Sequence, residues 1–140
     1  MNDDIQKGGC LCGAVRFGVR QSGVVSAHHC HCRDCQRATG SAMATFAAVP
    51  DPAFELESGQ LKSYTVTGAS GGQVSRVFCP ECGSQLWSEV TIMPGVKFIK
   101  GGAFDDASWI RPVSSFWTGS TQPWGHVDTT IAIFEANPGG

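Results

Sequence analysis

Cys79 and Cys82 in VFCPECGSQLW, together with Cys10 and Cys12 in GGCLCGAVRF, constrain this chain more than any other feature. The i, i+3 pair of Cys-Pro-Glu-Cys-Gly has the form of a zinc knuckle. A tight turn aims both sulfurs at one ion, backbone N–H groups hydrogen-bond the thiolates, and Gly83 can take up φ > 0 where the chain leaves. The other reading of the pair is two buried thiols in a β-turn. A knuckle supplies two ligands, and structural zinc takes four. Cys10 and Cys12, at i, i+2, are predicted to present both side chains on one face of an extended segment. Gly8, Gly9 and Gly13 leave that backbone room to bend around an ion. One tetrahedral site on Cys10, Cys12, Cys79 and Cys82 ties the start of the chain to residue 82, and its binding energy becomes folding energy.

The remaining thiols fall in HHCHCRDCQRATG, at Cys30, Cys32 and Cys35. Seven cysteines therefore divide as four plus three. Such a cluster suits a metal site, a redox pair with a spare thiol, or part of a disulfide framework. A three-ligand site leaves a position for water or substrate, which is how catalytic zinc is usually held. The sulfurs can converge on one ion if the strand turns at Arg33–Asp34. His28, His29 and His31 lie close enough to be considered as a fourth ligand. In an extended run His29 and His31 point away from Cys30 and Cys32, which leaves His31 packed or hydrogen-bonded behind the site. Redox pairing of Cys32 with Cys35 competes. A thioredoxin-like pair sits at a helix N-terminus within a βαβ unit, and no such alternation is visible.

Composition narrows the class. The chain has 140 residues, enough for one domain, read here as spanning 1–140 with its core at about 8–135. Eighteen glycines and seven prolines imply many turns and short strands rather than long helices. Net charge is −2 with no Lys/Arg run, which argues against a nucleic-acid partner. The apolar runs are too short for a membrane span, and MNDDIQKGG does not resemble a secretory signal. A cytoplasmic location is the expectation. A reducing compartment and an odd cysteine count disfavour structural disulfides and favour metal ligation.

Periodicity predicts strands at 13–19, where Val15, Phe17 and Val19 share a face, and at 23–30, 42–49, 54–56, 61–66, 95–104 and 131–134. One helical turn closed by Gly40 is predicted at 35–41, a loop at 68–73, and a hairpin flanking the knuckle. Residues 105–130, with Trp109, Trp117 and Trp124, read as irregular. The fold class is a mainly β single domain, pinned by zinc, with little helix.

The blocks GGCLCGAVRF, CHCRDCQRATGSA, SRVFCPECGSQLW and STQPW, in that order from about residue 8 to residue 124, resemble the glutathione-dependent formaldehyde-activating enzymes. The resemblance implies a zinc-bound β-tent of short antiparallel strands, shared with a Rab nucleotide-exchange factor and with B-type methionine sulfoxide reductases. It implies two Zn²⁺ sites, a structural one on Cys10, Cys12, Cys79 and Cys82 and a labile one on Cys30, Cys32 and Cys35. It also implies carbon–sulfur lyase chemistry on a small-molecule thiol, linking glutathione and formaldehyde with S-hydroxymethylglutathione. Relatives often carry a His near Ser115, where this chain reads RPVSSFWTGSTQPW.

A zinc held by three thiolates keeps one net negative charge, yet still binds and deprotonates an incoming thiol. The expected chemistry is C–S bond formation or cleavage at the carbon next to that sulfur, with a neighbouring thiolate, Asp34 or water accepting the proton. Arg33 and Arg37 are candidate carboxylate contacts, against the alternative of surface solubility. Trp117 and Trp124 line a pocket or pack in the core. Two other classes remain. One is a zinc-stabilised binding module without chemistry, favoured if His28 or His29 completes the second cluster. The other, a methionine sulfoxide reductase, needs a nucleophilic cysteine outside both clusters, and none is left over.

Overall fold

The computed structural model describes residues 4–137, so the three outermost residues at each end of the expected 1–140 domain lie outside the described part. In chain order the strands are β1 (Ile5–Gly9), β2 (Arg16–Arg20), β3 (Ser26–Cys30), β4 (Ala44–Pro50), β5 (Phe54–Ser58), β6 (Lys62–Thr67), β7 (Gln73–Phe78), β8 (Gln85–Val90), β9 (Val96–Lys100), β10 (Ser114–Phe116) and β11 (Ala132–Ile133). A single α-helix among the described residues, α1 (Arg33–Thr39), joins β3 to β4. Strands β1-β2-β5 form a small antiparallel sheet, and the others form an eight-stranded sheet in the order β11-β10-β3-β4-β9-β8-β7-β6. The mainly β class read from the sequence is the class observed.

The core lies between the two sheets. Alternation along β2 and the residue before it carries Val15, Phe17 and Val19 inward, and all three are fully buried. They meet Ala47 and Val49 of β4, Trp87 of β8 and Ile99 of β9. Phe17 stacks on Phe54 at 5.6 Å between centroids and meets Trp87 and Phe104 edge-on at 6.3 and 5.6 Å. Burial of each large apolar side chain here contributes roughly 1.5–3 kcal/mol. The small sheet can close down on this core because position 8 is glycine. A Cβ there would stand 2.5 Å from the Ala103 carbonyl oxygen and 2.6 Å from Phe17 Cζ. Its absence allows the backbone bridge between Gly8 and Phe104.

Strand register brings the cysteine-bearing segments to one end of the large sheet. Cys30 pairs with Ala44, Phe46 with Lys100, Trp87 with Ile99, and Phe78 with Gln85. The C-terminal ends of β3, β7 and β9 and the start of β4 and β8 therefore lie side by side. β7 and β8 form the expected antiparallel hairpin around the knuckle.

Several local expectations need correction. Cys10 and Cys12 are not on an extended segment: β1 stops at Gly9, and residues 11–14 form the turn of a hairpin with β2. Strand β1 itself was not expected, because Ile5-Gln6-Lys7-Gly8-Gly9 carries no apolar alternation. The helix begins at Arg33 rather than at residue 35, with Gly40 ending it at φ 71° as expected. Within the stretch read as irregular, β10 forms a strand parallel to both β3 and β11. Three residues give no periodicity, and its two serines are buried through sheet pairing rather than through apolar side chains.

Candidate metal centres and the cleft between them

The Sγ atoms of Cys10, Cys12, Cys79 and Cys82 lie within 4.8 Å of one another. Cys12 Sγ stands 3.6 Å from Cys10 Sγ and 3.9 Å from Cys79 Sγ. Four sulfurs at about 2.3 Å from a tetrahedral zinc stand about 3.8 Å apart, whereas a disulfide brings them to about 2.0 Å. The donor set and its spacing fit a four-thiolate ion. Two turns build it. Gly13 (φ 81°) and Gly83 (φ 76°) bend the chain back, and the Gly83 N–H donates to the Cys79 carbonyl at 2.8 Å. The Val15 N–H donates to Cys10 Sγ at 3.2 Å, a contact that favours the thiolate. Ser84 ties the two turns together: its Oγ accepts from the Leu11 N–H at 3.0 Å and lies 3.2 Å from Cys82 Sγ. Hydrogen bonds from the Ser84 hydroxyl and N–H hold the Cys82 thiol down at about 5.

Cys30, Cys32 and Cys35 form the second group, with their sulfurs within 4.8 Å of one another, and no fourth His, Cys, Asp or Glu joins it among the described residues. Cys30 ends β3. Cys32 caps α1, its Sγ accepting from the Cys35 N–H at 3.2 Å, so the helix start folds the third sulfur back onto the first two. A strand followed by a helical turn was expected here, but not the helix start at Arg33 with Cys32 as its cap. The arrangement is not a parallel βαβ unit, because β3 and β4 are antiparallel neighbours. Cys30 and Cys35 are each 8% exposed. The sulfurs are not equivalent. Hydrogen bonds from Cys30 and Cys32, aided by Lys100 and Arg76, hold Cys35 down at about 2. Contacts with Cys32 and Cys35, together with burial, push Cys30 up.

The three histidines are spoken for otherwise. His28 shares hydrogen bonds with Ser26 Oγ at 2.7 Å and Ser114 Oγ at 2.5 Å, and stacks on Phe116. His29 shares one with Thr45 Oγ1 at 2.7 Å, on the opposite face of the sheet. His31 is 1% exposed and packed behind the cluster, with neither ring nitrogen in a hydrogen bond. Burial pulls all three imidazoles below their ordinary value. Ser115, near which the resemblance led to the expectation of a His, is fully buried and pairs with His29, while Phe116 packs against the thiol group. Ser114, not Ser115, shares the thiols' face of the sheet.

The other expected residues are spread out. Arg33 donates to Gln36 Oε1, and Asp34 and Arg37 are exposed on α1. Trp117 packs against the thiol group and holds a left-handed backbone (φ 59°), rare for a non-glycine residue. Its indole N–H donates to Asn137 Oδ1 at 2.8 Å. Trp124 is 70% exposed and belongs neither to the core nor to the thiol group.

Sequence reasoning missed four residues. Gln36 is buried, and its Nε2 donates to the carbonyls of His31 and Ser120 at 2.7 and 2.9 Å. Its Oε1 accepts from Gln122 Nε2 at 2.9 Å. The late STQPW block thus locks α1 in place, which gives the block a physical reason. Arg76 of β7 brings Nη2 to 3.9 Å from Cys35 Sγ, and Lys100 ends β9 beside the same sulfurs. Burial pulls the Lys100 ammonium down while the Cys35 thiolate pushes it up, and burial wins. Neither cation lies near the cysteines in sequence, so only strand register could have found them.

An open cleft of about 730 Å³ is lined by Cys10 and Ser84 of the first group and by Thr39, Ala44 and Lys100; Cys30, Cys32 and Cys35 do not line it. That is the size of a small-molecule site.

Fold and geometry define a mainly β domain organised around two cysteine clusters with metal-ligand spacing, one of four sulfurs and one of three. Residues 5–120 match the family described as glutathione-dependent formaldehyde-activating enzyme, and the chain belongs to that family. Its fold is similar to that of a Rhodobacter sphaeroides protein whose crystal structure comes from structural genomics. The two share 24% identity at a TM-score of 0.56, over 71% of this chain and 87% of the other. No helix among the described residues is long and apolar enough to cross a membrane.

Proposed function

We propose that this chain is a zinc-dependent carbon–sulfur lyase-type enzyme acting on the adduct of a small thiol, such as glutathione, with formaldehyde. The observation that carries the reading is the contrast between the two groups: four sulfurs make up one, while three sulfurs with no fourth protein ligand among the described residues make up the other. The first is structural and the second is where substrate meets the protein. Zinc, when bound at the second group, offers a Lewis-acid position that takes a thiol sulfur and favours its thiolate. Cys30, Cys32 and Cys35 hold that position open. In the forward direction the thiol sulfur forms a bond to the aldehyde carbon, the carbonyl π pair moves to oxygen, and the S–H proton ends on that oxygen. Cleavage is the reverse, and neither direction involves oxidation. Trp117 forms a wall of the site, and Arg33, Arg37 and Trp124 are contacts for the non-reacting part of the thiol. The hydrogen bonds that occupy His28 and His29 support this reading over a closed, purely structural second centre.

The test is formation of S-hydroxymethylglutathione by zinc-loaded protein, corrected for the spontaneous reaction. Wild type should exceed the background, and Cys35→Ser should return to it while keeping its circular dichroism. Wild-type protein that adds nothing to the background overturns the assignment.

A further inference from the structure

Arg76 and Lys100 stand on the face of the large sheet that carries the thiol triad. Cys30 pairs with Ala44, Phe46 with Lys100, Ala48 with Phe98, Phe98 with Ser88, and Ser88 with Arg76. Directly paired residues share a face, so one continuous row runs from the sulfurs to both cations. Arg76 Nη2 reaches to 3.9 Å from Cys35 Sγ. Its Nε is buried and has no hydrogen-bond partner. The chain's ion pairs among the described residues are Lys7–Glu57, Arg16–Asp105 and Lys97–Asp51, and none involves Arg76 or Lys100. A partly buried cation without a carboxylate is costly unless another anion faces it. The anions available to these two are thiolates.

We propose that Arg76 and Lys100 are positioning residues that balance the sulfur charge of the second group, both when it holds a metal and when it takes up a further thiolate. A dication on three thiolates keeps one negative charge, and a fourth thiolate makes it two. Two cations cancel that charge in full. This deepens the reading of the second group as a thiol-binding centre and rests on it for the fourth sulfur, but not for the first three. Lys100 is also among the residues that line the open cleft beside the first group.

The experiment uses cobalt(II)-loaded protein, in which ligand-field absorption reports the number of sulfurs on the metal. Second-site metal affinity is measured by competition with a chelator, and thiol affinity by titration with 2-mercaptoethanol, which has no carboxylate. Wild type is compared with Arg76→Gln, Lys100→Met and the charge-conserving Arg76→Lys. Uptake of a further thiolate adds a negative charge, so removing one cation a few ångströms from the sulfurs should weaken thiol binding by about tenfold or more. Arg76→Lys should restore most of the loss, and the four-sulfur signature of the first group should be unchanged in all variants. If Arg76→Gln and Lys100→Met bind both metal and 2-mercaptoethanol within about twofold of wild type, the proposal is overturned. If wild type takes up no thiol while the variants still lose metal affinity, the catalytic reading fails and the charge-balancing role stands. A loss seen only with a carboxylate-bearing thiol such as 3-mercaptopropionate, and not with 2-mercaptoethanol, also overturns it, in favour of carboxylate recognition.

Discussion

At the residue scale, the seven cysteines divide the labour. Cys79 is fully buried, and its turn is stitched to the other hairpin through Ser84, so an ion held by the four sulfurs would clamp the small sheet to the large one. Cys82→Ser should therefore give insoluble or partly unfolded protein, because metal binding energy is folding energy in such a domain. Unchanged melting in a metal-free Cys82→Ser protein would sink that assignment. Cys35→Ser is expected to behave differently. It removes a sulfur from the open group and leaves the clamp intact, so thiol binding should vanish while the melting temperature shifts by only a few degrees. A calorimetric scan beside a thiol titration separates the two cases. Ser84→Ala deletes the hydroxyl between Leu11 N–H and Cys82 Sγ, and a loss of about 1 kcal/mol is expected from denaturant midpoints.

At the element scale, the approach of β1 to the core depends on Gly8. Gly8→Ala puts a methyl group within 2.5 Å of a backbone carbonyl, which side-chain movement cannot relieve. Destabilisation of about 1–3 kcal/mol is expected. Gly102→Ala is the control: nothing lies within 4 Å of the new Cβ. Equal denaturant midpoints for the two variants would contradict the close-packing argument. β10 shows the opposite problem for a sequence reader. Its serines carry no apolar signal, and Ser114 is placed by its hydrogen bond with His28. Helix α1 was legible in outline, through Gly40, but its start was not. A cysteine acting as the cap replaces the usual Ser, Thr, Asp or Asn.

At the scale of the molecule, the second cysteine group lies at one end of the large sheet, and the first joins the β7–β8 turn at that end to the β1–β2 turn of the small sheet. Their different ligand counts predict different lability. Mild chelation should remove roughly one metal equivalent with the fold intact, because an open three-sulfur site exchanges with competing ligands and a closed four-sulfur site does not. Metal release followed alongside circular dichroism checks this, and simultaneous loss of both ions and structure would refute it. Acid should act on both sites in the same direction. Thiolates must be deprotonated to bind metal, so stability from the clamp is present at neutral pH and falls as pH drops.

The sequence alone determined what depends on short spacing. Ligand pairs at i, i+2 and i, i+3 are local, so the two thiol groups could be counted before any strand was placed. Alternation is local too, and Val15, Phe17 and Val19 announced their burial. The hairpin around the knuckle followed from the apolar runs that flank it. Tertiary structure decided everything that depends on register between strands far apart in the chain. It put Arg76 and Lys100 on the triad's face, 41 residues from Cys35 in the case of Arg76, and it locked Gln36 to Gln122 across 86 residues. It also turned Ser115 away from the thiols and Ser114 toward their side. A side chain's face changes with a one-residue shift of register, and register is set by pairing of the whole sheet rather than by any short stretch of the chain.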